Sequence, residues 1–491
     1  MLVAVVADER GGGVLQPLDP AGRPDGPVER VDDLVAAVAE RERSSQPRWV
    51  WTATAAIYPA LLRAGVRVDR CHDVELTEAL LLGYAGRWGE PRSAAAALAR
   101  LVGAPVPPDP PPRAPVPPGG GQASLFETPP DPPGIDLDGL IQVHADQLAR
   151  IAATEHPARF RLLVAAESAG ALAAAEMGAV GLPWRADVHD ALLLDLLGEP
   201  SPVGGQPRKL AALAARIADA LGAPGLHADS PAEVLRAFAR VGVTLPNTRA
   251  WVLREVDHPA ARLLLEYKEL YRIWTAHGWS WRDAWVRDGR FRPEYVPGGV
   301  VSGRWATRGG GALQIPKVIR RAVCADPGWR LVVGDAGQLE PRVLAAVSGD
   351  ARLAAAAAAG DLYAALARDA FAGDRARAKV ALLSAMYGQT GGMAAPALAV
   401  LRRHYPTAFG FVESAARTGE SGGLVRSWLG RTCPPGQPQP EQPDGVPAEQ
   451  TVDGDADPYR PGAAARARGR FTRNFVIQAT AAEWTLTLLA V

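Results

Sequence analysis

Residues 104 to 136, APVPPDPPPRAPVPPGGGQASLFETPPDPPGID, set the first limit on how this chain can fold. Proline removes a backbone donor and fixes φ, while glycine costs the most entropy to order. A run so rich in both holds neither helix nor sheet and reads as an extended, mobile linker. One continuous core is thereby excluded, and 491 residues are in any case too many for one. The linker separates a small front region from a large rear one.

Composition adds a few exclusions. Lys plus Arg and Asp plus Glu both total 53, so net charge neither names nor excludes an anionic partner, and only the distribution of charge can inform. Cys71, Cys324 and Cys433 stand far apart without a CxxC spacing, against both a disulfide framework and a zinc site. The opening MLVAVVADER lacks a basic n-region. No uninterrupted apolar run approaches about 18 residues. The expectation is a soluble, cytoplasmic chain with no membrane partner.

In front of the linker, strand-like LVAVVAD and PRWVWTAT alternate with helix-like VDDLVAAVAERE and LTEALLLGYAG, the pattern of an α/β layer. From about 137 to 290 the pattern is mostly helical. Within it, DSPAEVLRAFARVG places Asp229 or Ser230 as an N-cap, Pro231 at the first helical position and Glu233 in the first turn. The final third mixes strands, glycine-rich loops and helices.

Three stretches of the rear region carry candidate chemistry. VVSGRWATRGGGALQIP, residues 300 to 316, is a loop with Arg304, Arg308 and several glycines, able to approach a polyanionic backbone closely; a solvated basic loop is the plain alternative. In the second, WRLVV predicts a buried strand whose tip delivers Asp335, followed by Glu340 and Pro341 in the first turn of a helix through VLAAV. Asp335 is either a cap for that helix or a hard oxygen ligand held on a rigid strand tip, as phosphoryl and nucleotidyl transfer require. The third, DRARAKVALLSAMYGQTGG from 374 to 392, predicts a helix. Arg375, Lys379, Leu383 and Tyr387 recur every four residues and so share one slowly drifting stripe. Cations near the positive end of a helix dipole can seat a triphosphate and Tyr387 can face a base; a surface helix with snorkelling cations is the alternative.

Taken in order, these stretches resemble the family A DNA polymerases, of DNA polymerase I type. The T/S-G-R loop ending in L-Q-x-I-P is resembled by Ser302 to Pro316, which includes Gln314 and ends in L-Q-I-P, one residue shorter. The D-x-x-Q-x-E-x-R pattern of motif A is matched by Asp335, Gln338, Glu340 and Arg342. Motif B, R-x-x-x-K with a later Y-G, is matched by Arg375, Lys379, Tyr387 and Gly388. LLEYKEL at 264 to 270 and RGRFTRNFVIQATAAEW at 468 to 484 extend the likeness, the latter resembling the family's R-x-x-x-N-x-x-x-Q helix through Arg470, Asn474 and Gln478. The resemblance runs from about residue 165 to the last residue.

The resemblance implies an α+β fold: a right-hand polymerase with palm, fingers and thumb, behind an N-terminal degenerate α/β RNase H-like exonuclease domain. The implied domains are 1–103 with 137–160 for the vestigial exonuclease, 104–136 for the linker and 161–491 for the polymerase region. Within the last, the thumb covers about 165–290 and palm and fingers about 291–491. It also implies roles. Asp335 would bind two Mg²⁺ ions, with only the backbone carbonyl of Ala336 touching a metal where the family has tyrosine. Glu340 would select deoxynucleotides by filling the space of a 2′-hydroxyl and by contacting Tyr387. Arg375 and Lys379 would hold the triphosphate of a dNTP, with Gln338 and Tyr387 beside it. Arg304, Gln314, Arg470, Asn474 and Gln478 would track primer-template DNA, reading shape more than sequence. Leu383 stands where the family stacks an aromatic ring. The family's second metal-binding aspartate comes from a later H-D-E turn, absent up to Val491, so the C-terminal palm strands are expected to be missing and catalysis impaired.

The front region lacks the D-x-E pair that a proofreading nuclease needs. Asp8 and Glu9 are adjacent and so face opposite ways on a strand, and Asp73 and Asp146 read better as a helix cap and a surface charge. Within the linker, QASLF resembles the Q-x-x-L-F peptide that docks on sliding clamps, through Gln122, Leu125 and Phe126. The expected function is a monomeric template-directed DNA polymerase of repair or replication, nucleoid-associated. The alternative is a non-catalytic DNA-binding or clamp-bound accessory protein.

Overall fold

A computed structural model describes residues 1–111, 135–388, 394–435 and 462–490. The peptide at 122 to 126 lies outside them. The front region is built on five strands, β1 Leu2–Ala7, β2 Gly13–Leu18, β3 Glu29–Val31, β4 Arg48–Trp51 and β5 Cys71–Asp73, in the order β3-β2-β1-β4-β5. β1 runs antiparallel to β2, with Leu2 opposite Leu18, and parallel to β4, with Leu2 opposite Arg48; β4 and β5 are parallel. Parallel neighbours need crossovers. Helices α1 Leu34–Ser44 and α2 Thr54–Arg63 supply them, and α3 Val74–Tyr84 and α4 Ala94–Val102 follow. The expected α/β layer is therefore present. Both faces of the sheet are apolar: Val3, Val5, Trp49 and Trp51 fill one core, Ala4 and Val50 the other.

The second helical set comprises α5 Leu137–Ala152, α6 Pro157–Val180, α7 Ala186–Leu197, α8 Arg208–Ala220, α9 Pro231–Arg240, α10 Ala250–Arg254, α11 Pro259–His277 and α12 Trp279–Trp285. α5 covers the front sheet, while α6 packs on α2 and β5 at one side and on later elements at the other, so it crosses the expected 160/161 boundary as one rod. By length and composition α6 could cross a membrane. Its Glu167 carboxylate is buried against Arg431 and its Leu172 sits in the sheet's core, which makes it a core helix. α8 to α11 form a separate core around Phe238, Leu264 and Tyr267. Ser230 is the N-cap of α9, accepting from the Glu233 N–H at 3.4 Å. Because that bond is long, Ser230→Ala is expected to cost only about 0.5–1 kcal/mol, read as a small fall in urea midpoint.

Short strands β6 Leu182–Pro183, β7 Val286–Arg287 and β8 Arg290–Phe291 make one small sheet, and β9 Glu294–Val296 pairs with β10 Ala306–Arg308. The largest core gathers α13 Leu339–Ser348, α14 Ala351–Ala358, α15 Leu362–Ala370, α16 Arg375–Tyr387, α17 Ala394–His404, α18 Pro406–Glu420 and α19 Ala463–Leu489. Arg473 of α19 locks them: it is buried, ion-paired to Glu413 of α18, and donates to the Ala385 carbonyl of α16 at 3.0 Å.

One expectation fails. WRLVV is not a buried strand: residues 329–336 carry no strand pairing among the described residues, and Trp329 and Val332 are 76 % and 95 % exposed. A β-branched run needs a hydrogen-bonded neighbour before it becomes a strand, and composition does not supply one.

Candidate functional site

Three elements meet around Glu340. Its carboxylate lies in the first turn of α13, is largely shielded, and accepts from Arg304 of the loop before β10 and from the Tyr387 hydroxyl at the end of α16, the latter at 2.6 Å. Burial, and then this bond to Glu340, push the Tyr387 phenol above its ordinary range, so it remains a donor. Gln478 of α19 pulls weakly the other way. α16 ends there because Gly388 adopts a left-handed cap, φ 72°, with its N–H on the Ser384 carbonyl. A Cβ at 388 would sit 2.9 Å from Arg470 Cγ, so the glycine also admits α19 closely.

α16 begins on Asp374, whose side chain accepts from the Arg377 N–H at 2.9 Å. Arg375 and Lys379 follow on the exposed side, and Leu383 and Tyr387 continue the stripe half-buried. The cationic and aromatic ends expected from four-residue spacing are thus on one face. Arg375 is not bare. Its Nε donates to Asp361 Oδ2 at 2.8 Å, and its guanidinium lies 5.6 Å from the Tyr363 ring centre. Asp361 and Tyr363 escaped the sequence reading. The available signal was GDLYAAL, where Asp361 precedes an apolar helical run as an N-cap.

Gln338 stands at the start of α13 in a left-handed conformation, φ 60°. Its carboxamide bridges to Asp361 and to the Leu362 N–H, so it contacts the next chain segment rather than facing open space. Arg342 is likewise engaged, donating to the Gly337 carbonyl at 3.0 Å and to Ala357 and Gly360. Gln314 is half-buried in a short 3₁₀ turn, Ala312–Gln314. Arg470, Asn474 and Gln478 lie four apart on α19, half-buried, and Asn474 Oδ1 is a buried acceptor without a partner among the described residues. Asp335 and Ala336 are exposed, and Asp335 makes no hydrogen bond or ion pair among the described residues. It is therefore not a cap for α13.

In the front region three of the four candidate carboxylates, Asp8, Asp73 and Asp146, have a structural task, and Glu9 is exposed. Asp8 Oδ1 closes the β1–β2 turn by accepting from Arg10 and Gly12 N–H at 2.8 and 3.0 Å. Asp73 is buried, accepting from Thr54 N–H at 2.7 Å and capping α3 through Leu76 N–H at 2.9 Å. Asp146 pairs with Arg150 at 3.2 Å.

The model of "DNA polymerase family A" matches residues 210–489. "DNA polymerase I" of Chloroflexus aurantiacus is 29% identical over 211 residues, covering 37% of this chain and 22% of the relative. The thermostable DNA polymerase I of Thermus aquaticus is 29% identical over 201 residues, 38% of this chain and 23% of the relative. The matched stretch therefore spans less than a quarter of either relative. Among solved structures, the POL domain of Pol1 from M. smegmatis, in complex with DNA primer-template and dNTP, superposes with a TM-score of 0.63 at 15% identity, covering 99% of this chain and 84% of that one. That likeness establishes a shared α+β fold.

Proposed function

The chain belongs to DNA polymerase family A, and from that premise we propose that it is a template-directed DNA polymerase, transferring deoxynucleoside monophosphates to a primer 3′ end in repair or replication. The observation that carries the reading is the joining of Arg304, Glu340 and Tyr387 next to the cationic face of α16. In this reading Arg375 and Lys379 hold the dNTP triphosphate, where charge-assisted bonds to phosphate are strongest. Glu340, fixed by Tyr387, excludes a 2′-hydroxyl. Arg470, Asn474 and Gln478 present one polar line of α19 to primer-template DNA, with Arg304 and Gln314 beside it. The front region is a scaffold without nuclease chemistry, since Asp8, Asp73 and Asp146 are spent on a turn, a helix cap and an ion pair.

Mg²⁺ is implied by the family. Among the described residues no group of three or more His, Cys, Asp or Glu side chains could hold a metal ion. Asp335 and the Ala336 carbonyl alone do not fit a two-ion site, which needs more oxygen ligands. The described residues therefore account for binding and positioning, and transfer needs a further carboxylate from outside them. This shortfall favours a second reading, a non-catalytic DNA-binding or clamp-bound accessory protein.

Primer extension with dNTPs and Mg²⁺, run beside a gel shift on the same primer-template, separates the two. Extension that Asp335→Ala abolishes supports the polymerase. Binding without extension supports the accessory protein, and extension that survives Asp335→Ala removes Asp335 from the site.

A further inference from the structure

The geometry points to Asp361 as a positioning residue: it grips the Nε edge of Arg375 and, through Gln338, ties the orientation of that guanidinium to the loop that carries Asp335. This inference rests on the reading of Arg375 as a triphosphate ligand.

The two carboxylate oxygens of Asp361 divide their work. Oδ1 accepts from the Tyr363 and Ala364 N–H groups at 3.0 and 3.2 Å, which caps α15, and from Gln338 Nε2 at 2.8 Å. Oδ2 accepts from Arg375 Nε at 2.8 Å. Gln338 completes the link by accepting from the Leu362 N–H at 2.9 Å, so its carboxamide spans the start of α13 and the start of α15. Its left-handed backbone, φ 60°, is a conformation a non-glycine residue adopts at a cost, and here it aims the side chain at Asp361.

A guanidinium is a planar fork of five N–H donors. Asp361 takes the Nε edge, and Arg375 makes no other hydrogen bond among the described residues. A carboxylate placed on the terminal nitrogens would compete with phosphate for the same donors. Placed on Nε, it fixes the plane and leaves the terminal nitrogens free, which reduces the entropy lost when a phosphate docks. The Tyr363 ring near the guanidinium restricts the same plane. Arg375, followed by Gln338, holds the Asp361 carboxyl well below its usual range, so the grip persists at any working pH.

Binding of dATP with Mg²⁺ to the full chain on a dideoxy-terminated primer-template, measured by equilibrium titration, tests this without requiring chemistry. Asp361→Asn keeps an N-cap acceptor but removes the charge. It is expected to weaken dATP binding about fivefold, the upper range for an exposed ion pair, with an unchanged melting midpoint. Arg375→Ala should weaken it at least about tenfold, and the double variant no more than Arg375→Ala alone, since the two act as one unit. Gln338→Ala provides a second route, with a smaller loss that vanishes in the Asp361→Asn background. Unchanged affinity in Asp361→Asn beside a loss in Arg375→Ala overturns the relay and leaves the triphosphate reading intact. Tighter binding in Asp361→Asn overturns it too, making Asp361 a competitor. No effect of Arg375→Ala defeats the triphosphate reading itself.

Discussion

Glu167→Ala is expected to destabilise the protein by about 3–5 kcal/mol, the cost typical of breaking a buried ion pair from one side. Glu167 lies in the middle of α6 and Arg431 in the hairpin between α18 and α19, 264 residues later, with their charged atoms 2.5 Å apart. Both side chains are almost wholly shielded, at 3% and 6% exposed. Removing the carboxylate strands a guanidinium that is almost wholly shielded and whose Nε lacks a partner among the described residues. Relief by movement is limited, because a Cβ at Gly303 would lie only 2.4 Å from Arg431 Nε, so the backbone is packed directly on the cation. Glu167→Gln retains an acceptor and should cost about 1–3 kcal/mol. The exposed pair Arg43–Glu40 gives the control, with Glu40→Ala within about 0.5 kcal/mol of wild type. Urea denaturation of the three variants measures all of this, and a Glu167→Ala loss near that of Glu40→Ala would show that the pair is hydrated.

What could be read in advance follows the range of the interaction. α16 was legible because its signals are local, a helix-forming run with four-residue spacing from Arg375 to Tyr387; the structure adds Asp374 as its cap and Gly388 as its terminator. β1 and β4 were legible because apolar runs of the right length lay between turn residues. The segment from Trp329 to Val333 has the same local character, yet it is exposed and unpaired, because a strand is defined by a neighbour and the residues around it say nothing about one. The bond between Glu340 and Tyr387 came only through likeness to a family; no spacing rule joins positions 47 apart. Asp361 shows the intermediate case. Its capping role is local and readable, while its hold on Arg375 depends on how α15 meets α16. Long-range pairs such as Glu167 with Arg431 have no periodic signature at all.

The same hairpin is held from its other side by a second carboxylate, and there the expected effect is a dependence on pH. Glu483 of α19 is fully buried, accepting from the Leu429 N–H at 3.0 Å and from the Ser427 hydroxyl, while Thr480 one turn earlier accepts from the Trp428 N–H at 3.1 Å. Burial raises the Glu483 carboxyl to about 7 from 4.5, against the opposing pull of Ser427 and Arg431. Between those values the folded state keeps a proton that the unfolded chain has released. Stability contributed by this group is therefore full below about pH 4.5 and is lost as pH rises through about 7. The total change is about 3 kcal/mol. Glu483→Gln stays neutral and can still accept from Leu429 N–H. It should lie within about 1 kcal/mol of wild type at pH 5, exceed it by up to about 3 kcal/mol more at pH 8 than at low pH, and flatten the slope between. Glu75 is also raised to about 7 by burial, but its contribution is common to both proteins and cancels in their difference. Urea midpoints at pH 5, 6, 7 and 8 give that difference directly. Parallel curves for wild type and Glu483→Gln would mean that Glu483 is ionised in the fold, with the single charge of Arg431 shared between Glu167 and Glu483.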